Sequence, residues 1–342
     1  MTIFLNILFL VIGMVLLIKG ADYFVTGAST IAKKLKIPAM FIGLTVVAIG
    51  TSLPELSVSI TSAIKNDIDL SISNVIGSNM CNTFLILGVV GIFSSIKLKG
   101  STKKIDFPFL IAITSILFLF SCDTLIDGAP GNIVTRTDSI IFIVLLILYF
   151  SILILNAKKE RRMLLENNFE QLQTGFNPEE KLENTEEVKD LKVWQIIIYV
   201  ALGLAAVIFG GECVSSTAKY LAIQAGMSET LVGLTIVAVG TSLPELVTSI
   251  VAAKKGENDL ALGNVIGSNI INISLILGLV GIISQVPVGT DVLFDIAILF
   301  VLTIFFGLVC AKKNSLGKLE GFTFFIIYIL YIAFAIVRNY CF

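Results

Sequence analysis

Shifted by 190 residues, this 342-residue chain lies over itself: Gly43–Ile92 falls on Gly233–Ile282 with 32 of 50 positions identical. Gly50-Thr51-Ser52-Leu53-Pro54-Glu55 returns intact as Gly240-Thr241-Ser242-Leu243-Pro244-Glu245. Asn74-Val75-Ile76-Gly77-Ser78-Asn79 returns as Asn264-Val265-Ile266-Gly267-Ser268-Asn269. Two apolar stretches would share Leu, Ile and Val by chance. Gly, Pro, Asn and Glu held in register mark a duplicated structural unit.

The repeat sits in a chain that is 56% hydrophobic and only 14% charged. Soluble domains carry nearer a quarter charged residues, and apolar runs of roughly 20 residues, each enough to cross a bilayer, recur along nearly the whole length. Gly, Pro and charged punctuation divides them into ten spans, at about 3–32, 38–64, 70–95, 105–121, 138–157, 193–223, 229–253, 260–285, 291–311 and 319–338. The run Ile3–Ile18 lacks a basic leader and reads as a mature helix. Five spans per unit is an odd number, so the second copy threads the membrane in the opposite sense. The expected fold is an all-α integral membrane protein with ten transmembrane helices in two inverted five-helix repeats. The first repeat covers 1–157 (motif about 43–92) and the second 193–342 (motif about 233–282).

Residues 158–192, with seven basic and nine acidic side chains and Pro178, read as a solvated polar connector with room for a short helix rather than a folded domain. Alternate connections carry Lys33/Lys34/Lys36, Lys97/Lys99/Lys103/Lys104, Lys158/Lys159/Arg161/Arg162, Lys254/Lys255 and Lys312/Lys313/Lys318, while the opposite set holds Lys65, Arg136, Lys219 and little else. The positive-inside rule puts the first set in the cytoplasm, with the 158–192 connector, and both termini outside.

Composition excludes several functions. No basic patch is interleaved with aromatics, so nucleic acid is not a partner. Histidine is absent, which removes histidine metal sites and general bases. Cys81, Cys122, Cys213, Cys310 and Cys341 have no paired spacing and read as small buried residues or single thiols. No phosphate-binding Gly-x-x-x-x-Gly-Lys-Ser/Thr loop occurs, so direct ATP use lacks its usual cradle and any transport is expected to draw on an ion gradient. The chain is not expected to be an enzyme, and no cofactor or obligatory protein partner is expected; its partners are ions and the lipid bilayer.

Glu55 and Glu245 each stand in the middle of a span of apolar and small residues, where an ionisable group costs several kcal/mol and marks a functional position. Ala48, Thr51, Ser52 and Glu55 fall at i, i+3, i+4 and i+7 on one helical stripe, repeated by Ala238, Thr241, Ser242 and Glu245. Pro54 and Pro244 lack an N–H, so each breaks its helix and frees a carbonyl that a cation could satisfy. The next span adds Ser78 and Asn82, and its twin Ser268 and Asn272; helix packing is the ordinary role of such residues. All are hard oxygen donors, suited to Ca²⁺, Mg²⁺, Mn²⁺ or Na⁺ rather than zinc or copper. Two carboxylates balance one divalent or two monovalent ions, a physical basis for exchange. Asp22 and Glu212 also align across the shift and read as ion-pair residues near helix ends; Asp123 and Asp127 read as a solvated loop.

At these residues the chain resembles the sodium/calcium exchanger branch of the cation/Ca²⁺ antiporter superfamily, through both copies of Gly-Thr-Ser-Leu-Pro-Glu and Gly-Ser-Asn-x-x-Asn and the ten-span layout. The resemblance implies electrogenic exchange of Na⁺ for Ca²⁺ by alternating access, the first and sixth helices sliding across an eight-helix core, with Ca²⁺ and Na⁺ bound as substrates. It places ligands on Glu55, Glu245, Thr51, Thr241, Ser52, Ser242, Ser78, Ser268, Asn82 and the carbonyls of Ala48 and Ala238. Several exchangers have an aspartate where this chain has Asn272; the neutral amide can still coordinate, and no potassium dependence is inferred from it. The short connector lacks the calcium-sensing domains of animal exchangers. The alternatives within the fold are an H⁺-coupled antiporter or one carrying Mn²⁺ or Mg²⁺. A cation channel is the remote alternative.

Overall fold

The computed structural model describes residues 3–126, 128–173, 191–227 and 238–341. Asp127, the connector from 174 to 190 and the start of the seventh expected span (229–237) lie outside the described residues. In chain order the helices are α1 (Ile3–Leu35), α2 (Ala39–Thr51), α3 (Leu53–Ile64), α4 (Ile68–Phe93), α5 (Phe107–Phe120), α6 (Asp123–Ile126), α7 (Arg136–Gln173), α8 (Val193–Gln224), α9 (Ala238–Thr241), α10 (Leu243–Lys254), α11 (Asn258–Ile283), α12 (Thr290–Lys312) and α13 (Lys318–Cys341). Among the described residues, α1, α4, α7, α8, α11, α12 and α13 are long and apolar enough to cross a membrane; α2 with α3, bent by 45°, makes an eighth crossing. The chain is a multi-pass membrane protein.

The 45° bend falls at Ser52, one residue ahead of α3. Pro54 stands in the first turn of α3, where its missing N–H has no helical partner to lose. Pro244 begins α10 in the same way, after Ser242 in the same non-helical conformation. At their far ends the helices stop on a left-handed residue. Lys36 (φ 51°) and Asn66 (φ 62°) follow α1 and α3, and their equivalents Gly226 (φ 91°) and Gly256 (φ 74°) follow α8 and α10.

α4 and α11 form the centre, with 78% of each apolar stretch buried, whereas α1 and α8 bury 22% and turn most of their surface outward. Small residues let the central helices approach. A methyl group added at Gly267 would sit 2.7 Å from the Ala48 Cβ and 2.8 Å from the Leu44 carbonyl oxygen, which seats α11 directly on α2. α1 and α8 pack still more closely: a methyl at Gly203 would lie 2.5 Å from the Phe24 amide nitrogen, and one at Gly20 2.7 Å from the Ala206 Cβ. Glycine seams of this kind let helices associate in lipid through backbone contact.

Two short antiparallel strand pairs tie the loops. β1 (Ile96–Lys97), after α4, pairs with β4 (Ser315–Leu316), ahead of α13. β2 (Asn132–Val134), ahead of α7, pairs with β3 (Val286–Val288), after α11. One expectation needs extension: α7 does not stop near 157 but runs to Gln173. Residues 158–173 contain no Gly or Pro and are rich in Leu, Glu, Lys and Arg, all strong helix formers.

Candidate cation site

The bends before α3 and α10 face each other across the interior. Glu55 and Glu245, each in the first turn of its helix, are both 0% exposed. They are linked crosswise: the Ser52 hydroxyl donates to Glu245 Oε1 at 3.1 Å, and the Ser242 hydroxyl donates to Glu55 Oε1 at 3.4 Å. Each acid therefore leans on the bend of the other half. The second oxygens, Glu55 Oε2 and Glu245 Oε2, have no hydrogen-bond partner among the described residues, and neither acid forms an ion pair there.

Most of the other predicted positions are buried in the interior as well. Thr51, Ser52, Ser78, Asn82, Ser242, Ser268 and Asn272 are all buried. Ser78 Oγ, Ser268 Oγ, Asn82 Oδ1, Asn272 Oδ1 and Thr241 Oγ1 are enclosed without a hydrogen-bond partner among the described residues. Buried polar atoms are usually hydrogen-bonded, so this group of oxygens stands out beside the two acids. Thr51 lies 3.1 Å from the Val47 carbonyl and 3.0 Å from Asn264 Oδ1. Its single proton is thus spent on the scaffold, and its lone pairs remain for the pocket. The Ala48 carbonyl accepts the Ser52 N–H at 3.1 Å and lies 3.5 Å from the Thr51 hydroxyl. Ala238 lies at the start of α9, with its backbone on the equivalent turn.

Asn272 is oriented rather than loose. Its Nδ2 donates to Asn79 Oδ1 at 3.0 Å, while its own Oδ1 is buried with no hydrogen-bond partner among the described residues. Asn79 and Asn269, which recur in both copies of the motif, form a lattice between the halves. Asn79 Nδ2 donates to the Asn269 carbonyl at 3.2 Å, and Asn269 Nδ2 donates to Thr83 Oγ1 at 2.6 Å. Asn74 and Asn264 strap the bends to the centre: Asn74 Nδ2 donates to Ser59 Oγ at 3.0 Å and the Glu55 carbonyl at 3.3 Å, and Asn264 Nδ2 to Ser249 Oγ at 3.0 Å and the Glu245 carbonyl at 3.4 Å. The available signal was their recurrence in both copies.

Helical geometry shifts at the same places. π-helical turns occupy Gly43–Val47, Cys81–Ile86, Thr102–Asp106 and Asn272–Leu277; all but Thr102–Asp106 lie in the helices that carry the site, and such wide turns gather at functional sites. They put Asn82 and Asn272 at the start of an opened turn. Among the described residues, Asp22, Glu257, Asp259, Asp295 and Glu320 form ion pairs, among them Lys33–Glu257 at 2.9 Å and Arg338–Asp295 at 2.8 Å. No cluster of three or more acidic, His or Cys ligands occurs among the described residues. Any ion here is therefore held by two carboxylates and neutral oxygens.

Known proteins share this layout. The family model described as sodium/calcium exchanger protein matches residues 5–155 and 195–337. The putative antiporter CaxA of Alkalimonas amylolytica is 36% identical over 319 residues, 92% of this chain and 93% of that protein. Sodium/calcium exchanger MaX1 of Methanosarcina acetivorans is 35% identical over 356 residues, covering 98% and 99% respectively. The solved sodium-calcium exchanger NCX_Mj, in a form soaked without Na⁺ and Ca²⁺, superposes with a TM-score of 0.80 at 29% identity, covering 97% of this chain and 99% of its own.

Proposed function

This chain belongs to the sodium/calcium exchanger protein family, and from that premise we propose that it is a secondary antiporter exchanging Na⁺ for Ca²⁺ across the cell membrane by alternating access. The reading rests on one observation: Glu55 and Glu245, one from each copy of the motif, are fully enclosed, unpaired by Lys or Arg among the described residues, and joined through Ser52 and Ser242. An ionised carboxylate taken from water without a partner costs more than a fold can supply. Two of them side by side must be neutralised, by protons or by bound cations.

Glu55 and Glu245 supply the charge, and Thr51, Thr241, Ser52, Ser242, Ser78, Ser268, Asn82, Asn272 and the carbonyls of Ala48 and Ala238 supply neutral oxygens. A charge of −2 is balanced by one Ca²⁺ or by two Na⁺, so each ion excludes the other, and the empty pocket is too costly to carry across the membrane. Coupling follows from that penalty. Adding α5 and the α9–α10 segment to the eight crossings gives ten spans in two inverted repeats, 1–157 and 193–342, with both termini outside and the 158–192 connector cytoplasmic.

The test is Ca²⁺ uptake into proteoliposomes loaded with Na⁺. Uptake that collapses when internal Na⁺ is replaced by choline supports the proposal. Uptake indifferent to Na⁺ overturns it, and uptake restored by a proton gradient instead would assign H⁺ as the counter-ion.

A further inference from the structure

Outside the pocket, three residues and their repeat equivalents carry the same chemistry but make different contacts. On α1, Asp22 and Thr26 meet Lys255, the residue that caps α10. Lys255 Nζ lies 2.8 Å from the Asp22 carboxylate and donates to the Asp22 carbonyl at 2.9 Å and to Thr26 Oγ1 at 2.6 Å. The 190-residue shift converts these three into Glu212 and Ser216 on α8 and Lys65, the cap of α3. Acid, hydroxyl and amine recur at all three places. Here, however, Ser216 donates to Glu212 Oε1 at 2.8 Å, and Lys65 has no ion pair among the described residues.

Helix packing shows the same asymmetry. Leu243, Val247 and Val251 on α10 lie half-buried against Leu17 and Ala21 of α1 and Val207 of α8. Their equivalents on α3, Leu53, Ser57 and Thr61, are exposed. The face beside the formed ion pair is covered by apolar packing, and the face beside the unformed one is open.

We propose that Asp22–Lys255 and Glu212–Lys65 are alternate latches, positioning residues that set which face of the pocket is closed. The backbone seam at Gly20 and Gly203 makes α1 and α8 move as one body. Displacing that body toward α3 brings Glu212 to Lys65 and withdraws Asp22 from Lys255, so one pair forms as the other breaks. Asp22 and Glu212 touch no ion; they act by biasing two conformations. The inference rests on the alternating-access reading above.

The test uses single cysteines at equivalent places, Thr61→Cys and Val251→Cys, in a background with Cys81, Cys122, Cys213, Cys310 and Cys341 changed to serine. Each is labelled with a membrane-impermeant maleimide from both sides of oriented vesicles. Asp22→Asn or Lys255→Gln should raise labelling at 251 by up to about fivefold, the shift an exposed ion pair can supply, and lower it at 61. Glu212→Gln or Lys65→Gln should move both in the opposite sense, and the swap Asp22→Lys with Lys255→Asp should restore the starting ratio. Shifts in the same direction from both pairs, unchanged labelling, or a swap that restores nothing would overturn the latches. Labelling requires no transported ion. If Na⁺-driven Ca²⁺ uptake is absent while labelling moves as described, the latches stand and the antiport reading falls; intact uptake with fixed labelling gives the reverse.

Discussion

Ser52 donates its hydroxyl proton to Glu245 across the interior at 3.1 Å, so the bend in one copy of the motif supports the acid of the other. Neither half completes the pocket alone, and the two acids share one environment.

Glu55→Gln and Glu245→Gln should each reduce exchange by more than the roughly 10–100-fold that follows loss of an outer-shell partner. Each amide removes one of the two charges that neutralise Ca²⁺ and should leave the protein folded in the membrane. Ca²⁺ at about 100 times its dissociation constant should stabilise the wild type by about 2.7 kcal/mol against thermal unfolding. That increment should vanish in both variants, read as a lost calcium-dependent shift in melting temperature.

Asn79→Ala should weaken Ca²⁺ binding by about tenfold, in the range for outer-shell partners. Asn79 touches the pocket only by orienting Asn272 and binding the Asn269 carbonyl. In an Asn272→Ala background most of the effect should disappear. A double-mutant cycle by isothermal titration with Ca²⁺ measures the coupling.

Gly267→Ala should cost about 1–3 kcal/mol of stability, because the added methyl meets the Leu44 backbone and the Ala48 side chain, neither of which can turn away. Gly100→Ala, with nothing within 4 Å of the new atom, is the matched control and should melt like the parent. Thermal unfolding in detergent compares the two.

Lys36→Gly should stabilise the protein by about 0.5 kcal/mol or more. A left-handed Lys costs about 1–2 kcal/mol, and glycine's greater freedom in the unfolded chain cancels part of the gain. Asn66→Gly should change little, since Asn adopts φ near 62° at small cost. Melting temperatures of the two variants check the difference.

Much of this architecture was legible because the informative residues are chemically conspicuous. A buried Glu beside a Pro, twice in register, announces both a broken helix and the place where charge is needed. The apolar runs located most helices to within a few residues. The π-helical turns were hidden, since an extra residue in one turn leaves no mark on apolar periodicity in a helix buried all round. The sequence admits a short helix in 158–173 but not its fusion to α7, because polarity masks helix propensity once no apolar face is required. The roles of Asn79 and Asn269 depend on which helices cross, and that geometry is a property of the fold rather than of either motif copy.

The strand pairs β1–β4 and β2–β3 have a consequence for the integrity of the molecule. In each, a loop from before the connector is zipped to a loop from after it, and the lattice of amides joins the same two parts. The peptide between 174 and 190 is then dispensable for assembly. A protein severed there should migrate as two fragments on a denaturing gel, yet co-purify through an affinity tag on either one. Fragments expressed from separate messages should find each other in the same way.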